Sequence, residues 1–187
     1  MSQSVKNLHE QGIKLFRQGK LDEALEKLNE AVANAADDTR RIAEIYNDLG
    51  VIYRQQEDFT AAHQALDEAM DHFGTLADEK GQAQVWGNRA AVYEAEGSLD
   101  EAVETYKQSA QMLEAVGESE MAMYVWQAVS RLRLKQKQYI AAIGAYEEGV
   151  ENMPDKSFKK KVLSRLLRAP GSLLGGLGAG QPPQEDE

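Results

Sequence analysis

The chain has no cysteine among its 187 residues, which excludes disulfides, thiolate metal sites and cysteine nucleophiles. Histidine is scarce: His9, His63 and His72 are the whole set. His63 and His72 stand about two and a half helical turns apart, so they do not share a face as a metal-holding pair would. Proline is absent before Pro154, and no apolar run approaches the roughly 18 residues a membrane span needs. The phosphate-binding loop, the dinucleotide-binding glycine pattern, the H-E-x-x-H helix and the nucleophile elbow are also missing. The late GGLGAG follows no strand and opens no helix. These absences predict a protein with no catalytic residues, no metal and no cofactor. The opening MSQSVKNLHEQG lacks the basic-then-apolar pattern of a secretory signal, so a cytoplasmic location is expected.

The formal net charge is −10, unevenly spread. Residues 1–130 hold 24 acids against 11 bases, whereas residues 131–187 hold 7 against 10. An acidic body repels phosphates, so nucleic acid is not expected as a partner.

What the chain does have is a period. Ala24/Leu28, Ala62/Leu66, Ala102/Tyr106 and Ala142/Tyr146 recur in one frame, with alanines 38, 40 and 40 residues apart. Each period reads as two helices broken at RQGKLDEA, QQEDFTAA, AEGSLDEA and KQKQYIAA. Helices are predicted near 3–18, 20–35, 39–56, 58–75, 79–96, 98–116, 119–136 and 138–153, with a ninth near 156–168. Ser98 and Glu101 read as a capping box, Gly19 and Gly97 as turn residues, and Glu23 and Lys27 as a helical charge pair. Small Gly12, Gly50, Ala90 and Ser130 permit close helix approach, and Tyr46, Tyr53, Trp86, Tyr93, Trp126 and Tyr146 fill the spaces between.

On these residues the chain resembles the tetratricopeptide repeat family. The second period carries the motif best, as Tyr46, Leu49, Gly50, Tyr53, Ala62, Leu66 and Ala69. Trp86, Ala90, Tyr93, Ala102 and Tyr106 carry it in the third. The family's period is about 34 residues, and these repeats are longer. The resemblance implies an all-α, right-handed α-solenoid of helix-turn-helix repeats over 3–154, divided as 3–38, 39–78, 79–118 and 119–154. It implies a scaffold or adaptor that binds a protein or peptide in a concave groove lined by the first helix of each repeat. The groove residues would be Lys6, His9, Asn47, Asp48, Arg54, Asn88, Glu94, Tyr124, Gln127, Arg131 and Lys135. Asn88 occupies a slot that holds a backbone-gripping asparagine in family members. The family's carboxylate clamp is not reproduced, because His9, Ile13 and Asp48 stand in its slots. Charge along this face is expected to turn basic towards Arg131, Arg133, Lys135 and Lys137. Arg133, in a slot held elsewhere by leucine or tyrosine, is expected to pair with Glu147 or Glu148.

Residues 155–169 form a basic amphipathic segment, with Phe158, Val162, Leu163, Leu166 and Leu167 on one side and Lys159, Lys160, Lys161, Arg165 and Arg168 on the other. Two readings stand. The segment caps the last apolar face of the array, or it lies on an anionic membrane as a peripheral or self-assembling scaffold would. Residues 170–187 read as a flexible tail.

Overall fold

A computed structural model of the chain describes residues 4–36, 38–153 and 161. Among them the secondary structure is eight helices: α1 (Val5–Arg17), α2 (Leu21–Asn34), α3 (Thr39–Gln55), α4 (Phe59–Thr75), α5 (Glu79–Glu96), α6 (Leu99–Ala115), α7 (Ser119–Lys135) and α8 (Tyr139–Glu151). Consecutive helices fold into four hairpins, α1/α2, α3/α4, α5/α6 and α7/α8, and each hairpin stacks on the next. The result is an all-α solenoid. The seams differ: α2 meets α3 over a much smaller surface than α4 meets α5 or α6 meets α7. The predicted ninth helix and the tail lie outside the described residues, apart from Lys161, which is exposed.

The stacking follows from small side chains. Ala24, Ala62, Ala102 and Ala142 are all buried, at most 1% exposed. Opposite them, a Cβ on Gly12 would stand 2.6 Å from Leu28, and one on Gly50 would stand 2.7 Å from Leu66. Those distances are closer than van der Waals contact, so only glycine admits the partner helix there. The aromatic slots do the filling. Trp126 is buried with Val129 and Leu132 against Val103 and Tyr106, and its indole N–H donates to Glu114 at 2.6 Å. Tyr46 and Tyr53 sit half-buried between two clusters.

Turn chemistry was less readable. Gly19 (φ +77°) and Gly97 (φ +88°) take the left-handed conformation as expected, yet the same slot is filled by Glu57 (φ +62°) and Lys137 (φ +60°). Three helix starts are capped by aspartate: the Asp38, Asp58 and Asp78 carboxylates accept from the amides of Arg41, Ala61 and Gly81 at 2.9–3.0 Å. The expected capping box at Ser98 does not form, since Ser98 makes no side-chain cap bond. Ser4 does cap α1, with ψ 144°, whereas Ser98 has ψ 68°. At that lower ψ the short hydroxyl misses the amide that the longer aspartates reach.

Two expected charge pairs are also replaced. Glu23 pairs with Lys20, and Lys27 with Glu30. Arg133 turns towards α6, where it meets Asp100 at 3.4 Å and Glu104 at 3.3 Å, with Gln136 and Gln138 completing its bonds. Glu147 and Glu148 lie on the exposed side of α8, on the far side of the hairpin from that seam.

Candidate functional site

The first helices of the hairpins, α1, α3, α5 and α7, lie side by side and share one face. Polar rungs cross it. His9 on α1 bonds Asp48 on α3 at 2.6 Å, and Asn88 on α5 donates to Asn47 on α3 at 2.9 Å. Glu94 on α5 receives Arg131 at 2.5 Å and Lys135 at 3.0 Å, both from α7. The Arg131 hydrogen bond pulls the Glu94 carboxyl down to about 2, against burial that raises it, with Lys135 adding to the fall. Glu94 in turn holds Arg131 more firmly protonated.

Seven of the eleven groove residues read from the sequence are therefore engaged with one another. Lys6 reaches only its own helix neighbour Glu10, at 3.9 Å. Tyr124 and Gln127 face solvent, with Tyr124 64% exposed. Arg54 makes no ion pair among the described residues. The expected basic gradient is cancelled by this pairing: Arg131 and Lys135 sit on Glu94, and Arg133 belongs to the α6 seam. The bases left without ion pairs on this side are Arg54, together with Lys14 and Arg17, which border a cavity of about 410 Å³ beside His9. Of the basic terminal residues only Lys161 is described; Lys159, Lys160, Arg165 and Arg168 lie outside.

The inner helices are not evenly spaced. α1 touches α3 and α3 touches α5, but α5 and α7 stand apart and leave a cavity of about 530 Å³ between them. Its walls are Gly87 and Ala91 on one side and Val125 and Ala128 on the other, and α6 supplies the floor with Tyr106 and Ser109. Asn88 and Tyr124 stand at the rim. Burial raises the pKa of Tyr106, so its hydroxyl stays a neutral donor at physiological pH. Ser109 is satisfied internally, donating to the Ala83 carbonyl at 2.7 Å.

The sequence contained the signal for this opening. The slot of Gly87 holds His9, Asn47 and Gln127 in the other repeats, and the slot of Ala128 holds Glu10, Asp48 and Asn88. Loss of both long side chains at one seam opens the gap. Among the described residues no group of three or more His, Asp or Glu side chains is placed to hold a metal ion. No described helix is long and apolar enough to cross a membrane.

Stacked hairpins whose first helices form one continuous lined face define a helical-repeat solenoid. A sequence model of the tetratricopeptide repeat matches residues 6–73 and 81–155, and the chain belongs to that family. No curated protein matches it in sequence. Solved structures share its fold. BtubC (BKLC) from P. vanneervenii superposes with a TM-score of 0.69 at 16% identity, over 98% of this chain and 68% of that one. MamA gives 0.61 at 21% identity, over 86% and 81% respectively. PilF of Pseudomonas aeruginosa gives 0.61 at 18%, over 92% and 69%.

Proposed function

We propose that this chain is a non-enzymatic adaptor that binds a segment of a partner protein along the face formed by α1, α3, α5 and α7. The observation that carries this reading is the gap between α5 and α7. It is open to solvent, walled by small side chains, and wide enough for one large apolar side chain of a partner. Membership of the tetratricopeptide repeat family supports the reading, as does the fold shared with Cut9, solved in a hetero-tetramer with Hcn1. Asn88 and Tyr124 at the rim would grip the partner's backbone or polar groups, while Tyr106 offers a hydroxyl from below. Because the rungs on either side are already paired, affinity rests on the apolar anchor more than on charge.

Crosslinking pulldown from cell extract tests this with wild type and two variants. Ala91→Phe fills the gap and Tyr124→Ala strips its rim, while neither position is buried in the core. Partners recovered by wild type and lost from both variants, with unchanged melting temperatures, support the groove. Equal recovery by all three proteins refutes it.

A further inference from the structure

Helix α8 is built to be covered, and nothing among the described residues covers it. Tyr139, Ile140 and Ile143 are 62, 88 and 43% exposed, and Leu134 in the last turn of α7 is 51% exposed. One repeat earlier the slot of Ile143 holds Val103, buried in a cluster with Trp126, Val129 and Leu132 of the following hairpin. The slot of Ile140 holds Asp100, which Arg133 and Gln136 of that hairpin bond.

Advancing those partners by the same 40 residues gives Leu166 for Trp126 and Leu173 for Arg133. Val103–Trp126 thus becomes Ile143–Leu166. The charged contact Asp100–Arg133 becomes Ile140–Leu173, apolar on both sides. A third slot changes in the same matched way. Arg40 pairs with Asp78, and Lys80 with Glu118, each joining the start of one inner helix to the start of the next. In the fourth repeat the base is replaced by Glu120, which is exposed and without an ion pair among the described residues. One repeat on, the chain supplies Lys159 and Lys160. At all three slots a change on one side answers a change on the other.

The opposite end of the stack does not offer an alternative. Where α3 buries Ile45, Leu49 and Ile52, α1 carries Asn7, Gln11 and Lys14. A second copy stacked head to tail would press those polar groups against the apolar face of α8, leaving them desolvated.

We propose that residues 156–173 of this same chain dock on the exposed face of α8 and the end of α7, as the first element of an incomplete fifth repeat. Leu166 covers Ile143, Leu173 covers Ile140, and Lys159 or Lys160 pairs with Glu120. This docking does not depend on what the groove binds.

The absence of native cysteine makes a clean test possible. The full-length chain carrying Ile143→Cys and Leu166→Cys is treated with a short bismaleimide, and its mass is followed by light scattering and peptide mapping. The expected product is a link within one chain, absent from Ile143→Cys alone. Adding Glu120→Lys is expected to lower the yield about two- to fivefold, the effect of one exposed ion pair, and Lys159→Glu with Lys160→Glu to restore it. Links between two chains would assign the face to a second copy and overturn the proposal. So would no link at all, or a link lost on adding phosphatidylserine vesicles that float the protein, which would assign the segment to a membrane.

Discussion

Replacing Gly50 by alanine sets helix propensity directly against packing. On an open helix surface the change stabilises by about 0.5–1 kcal/mol, because alanine has less backbone freedom to lose on folding. At Gly50 the new Cβ would stand 2.7 Å from Cγ and Cδ2 of Leu66, and 3.4 Å from the Ala62 carbonyl oxygen. Ordinary carbon contacts lie near 3.5–4.0 Å, so Leu66 has to retreat by about 1 Å. Leu66 is fully buried, as are Ala62 and Leu49 around it, so no free space receives it. Overpacking of this kind costs about 1–3 kcal/mol, which leaves a net loss of about 0.5–2 kcal/mol after the propensity gain. For a domain of this size that lowers Tm by a few degrees. Gly144 supplies the control, because a Cβ there meets nothing within 4 Å. Gly144→Ala is therefore expected to raise Tm. Gly12→Ala, with Leu28 at 2.6 Å, should fall with Gly50→Ala. Thermal melts of the three variants by far-UV circular dichroism decide the matter. A Tm for Gly50→Ala that rises as Gly144→Ala does would refute the close-packing account of the repeat.

Ala102→Leu is expected to destabilise by about 1–3 kcal/mol, since Ala102 is fully buried at the α5/α6 contact; an unchanged urea midpoint would count against the register. Glu94→Gln is expected to cost about 1 kcal/mol at neutral pH, the partners being about half exposed. Because the folded carboxyl lies at about 2 and the unfolded one near 4.5, this contribution is complete above 4.5 and disappears as pH falls through about 2. Wild-type and Glu94→Gln stabilities measured by acid titration should therefore converge over that interval, and parallel curves would reject the ion-pair assignment. Asp58→Ala removes a cap and is expected to cost about 1 kcal/mol, whereas Ser98→Ala, which removes none, should be nearly silent in the same melts.

The architecture was legible because it rests on residue size repeated at a fixed interval. Ala62 and Gly50 announce their contact before any coordinates do, since no other residues allow the helices so close. Polar detail was less so. Arg133 looked adjacent to Glu147 by helix count, but its partners Asp100 and Glu104 come from the preceding hairpin, a choice set by how the hairpins stack. The same holds for Glu94, whose partners 37 and 41 residues away could not be picked from many exposed bases. Left-handed Glu57 and Lys137 escaped because glycine in the sister turns suggested a requirement that the tight connection imposes on whatever residue is present. The α5/α7 gap lay between these extremes: Gly87 and Ala128 break an otherwise long-chain slot, and the pattern shows when the four repeats are aligned.

The narrow junction between α2 and α3 carries a dynamic consequence. Every hairpin in a linear array is held only through its neighbours, and the first has a single, sparse one. Its amides should exchange with solvent through partial opening at lower free energy than those of α5 and α6, as the least anchored cooperative unit of the molecule. Such fraying would break the His9–Asp48 link while leaving the remote cleft beside Tyr106 intact. The two ends of the binding face would then answer to temperature separately, one loosening well before the other.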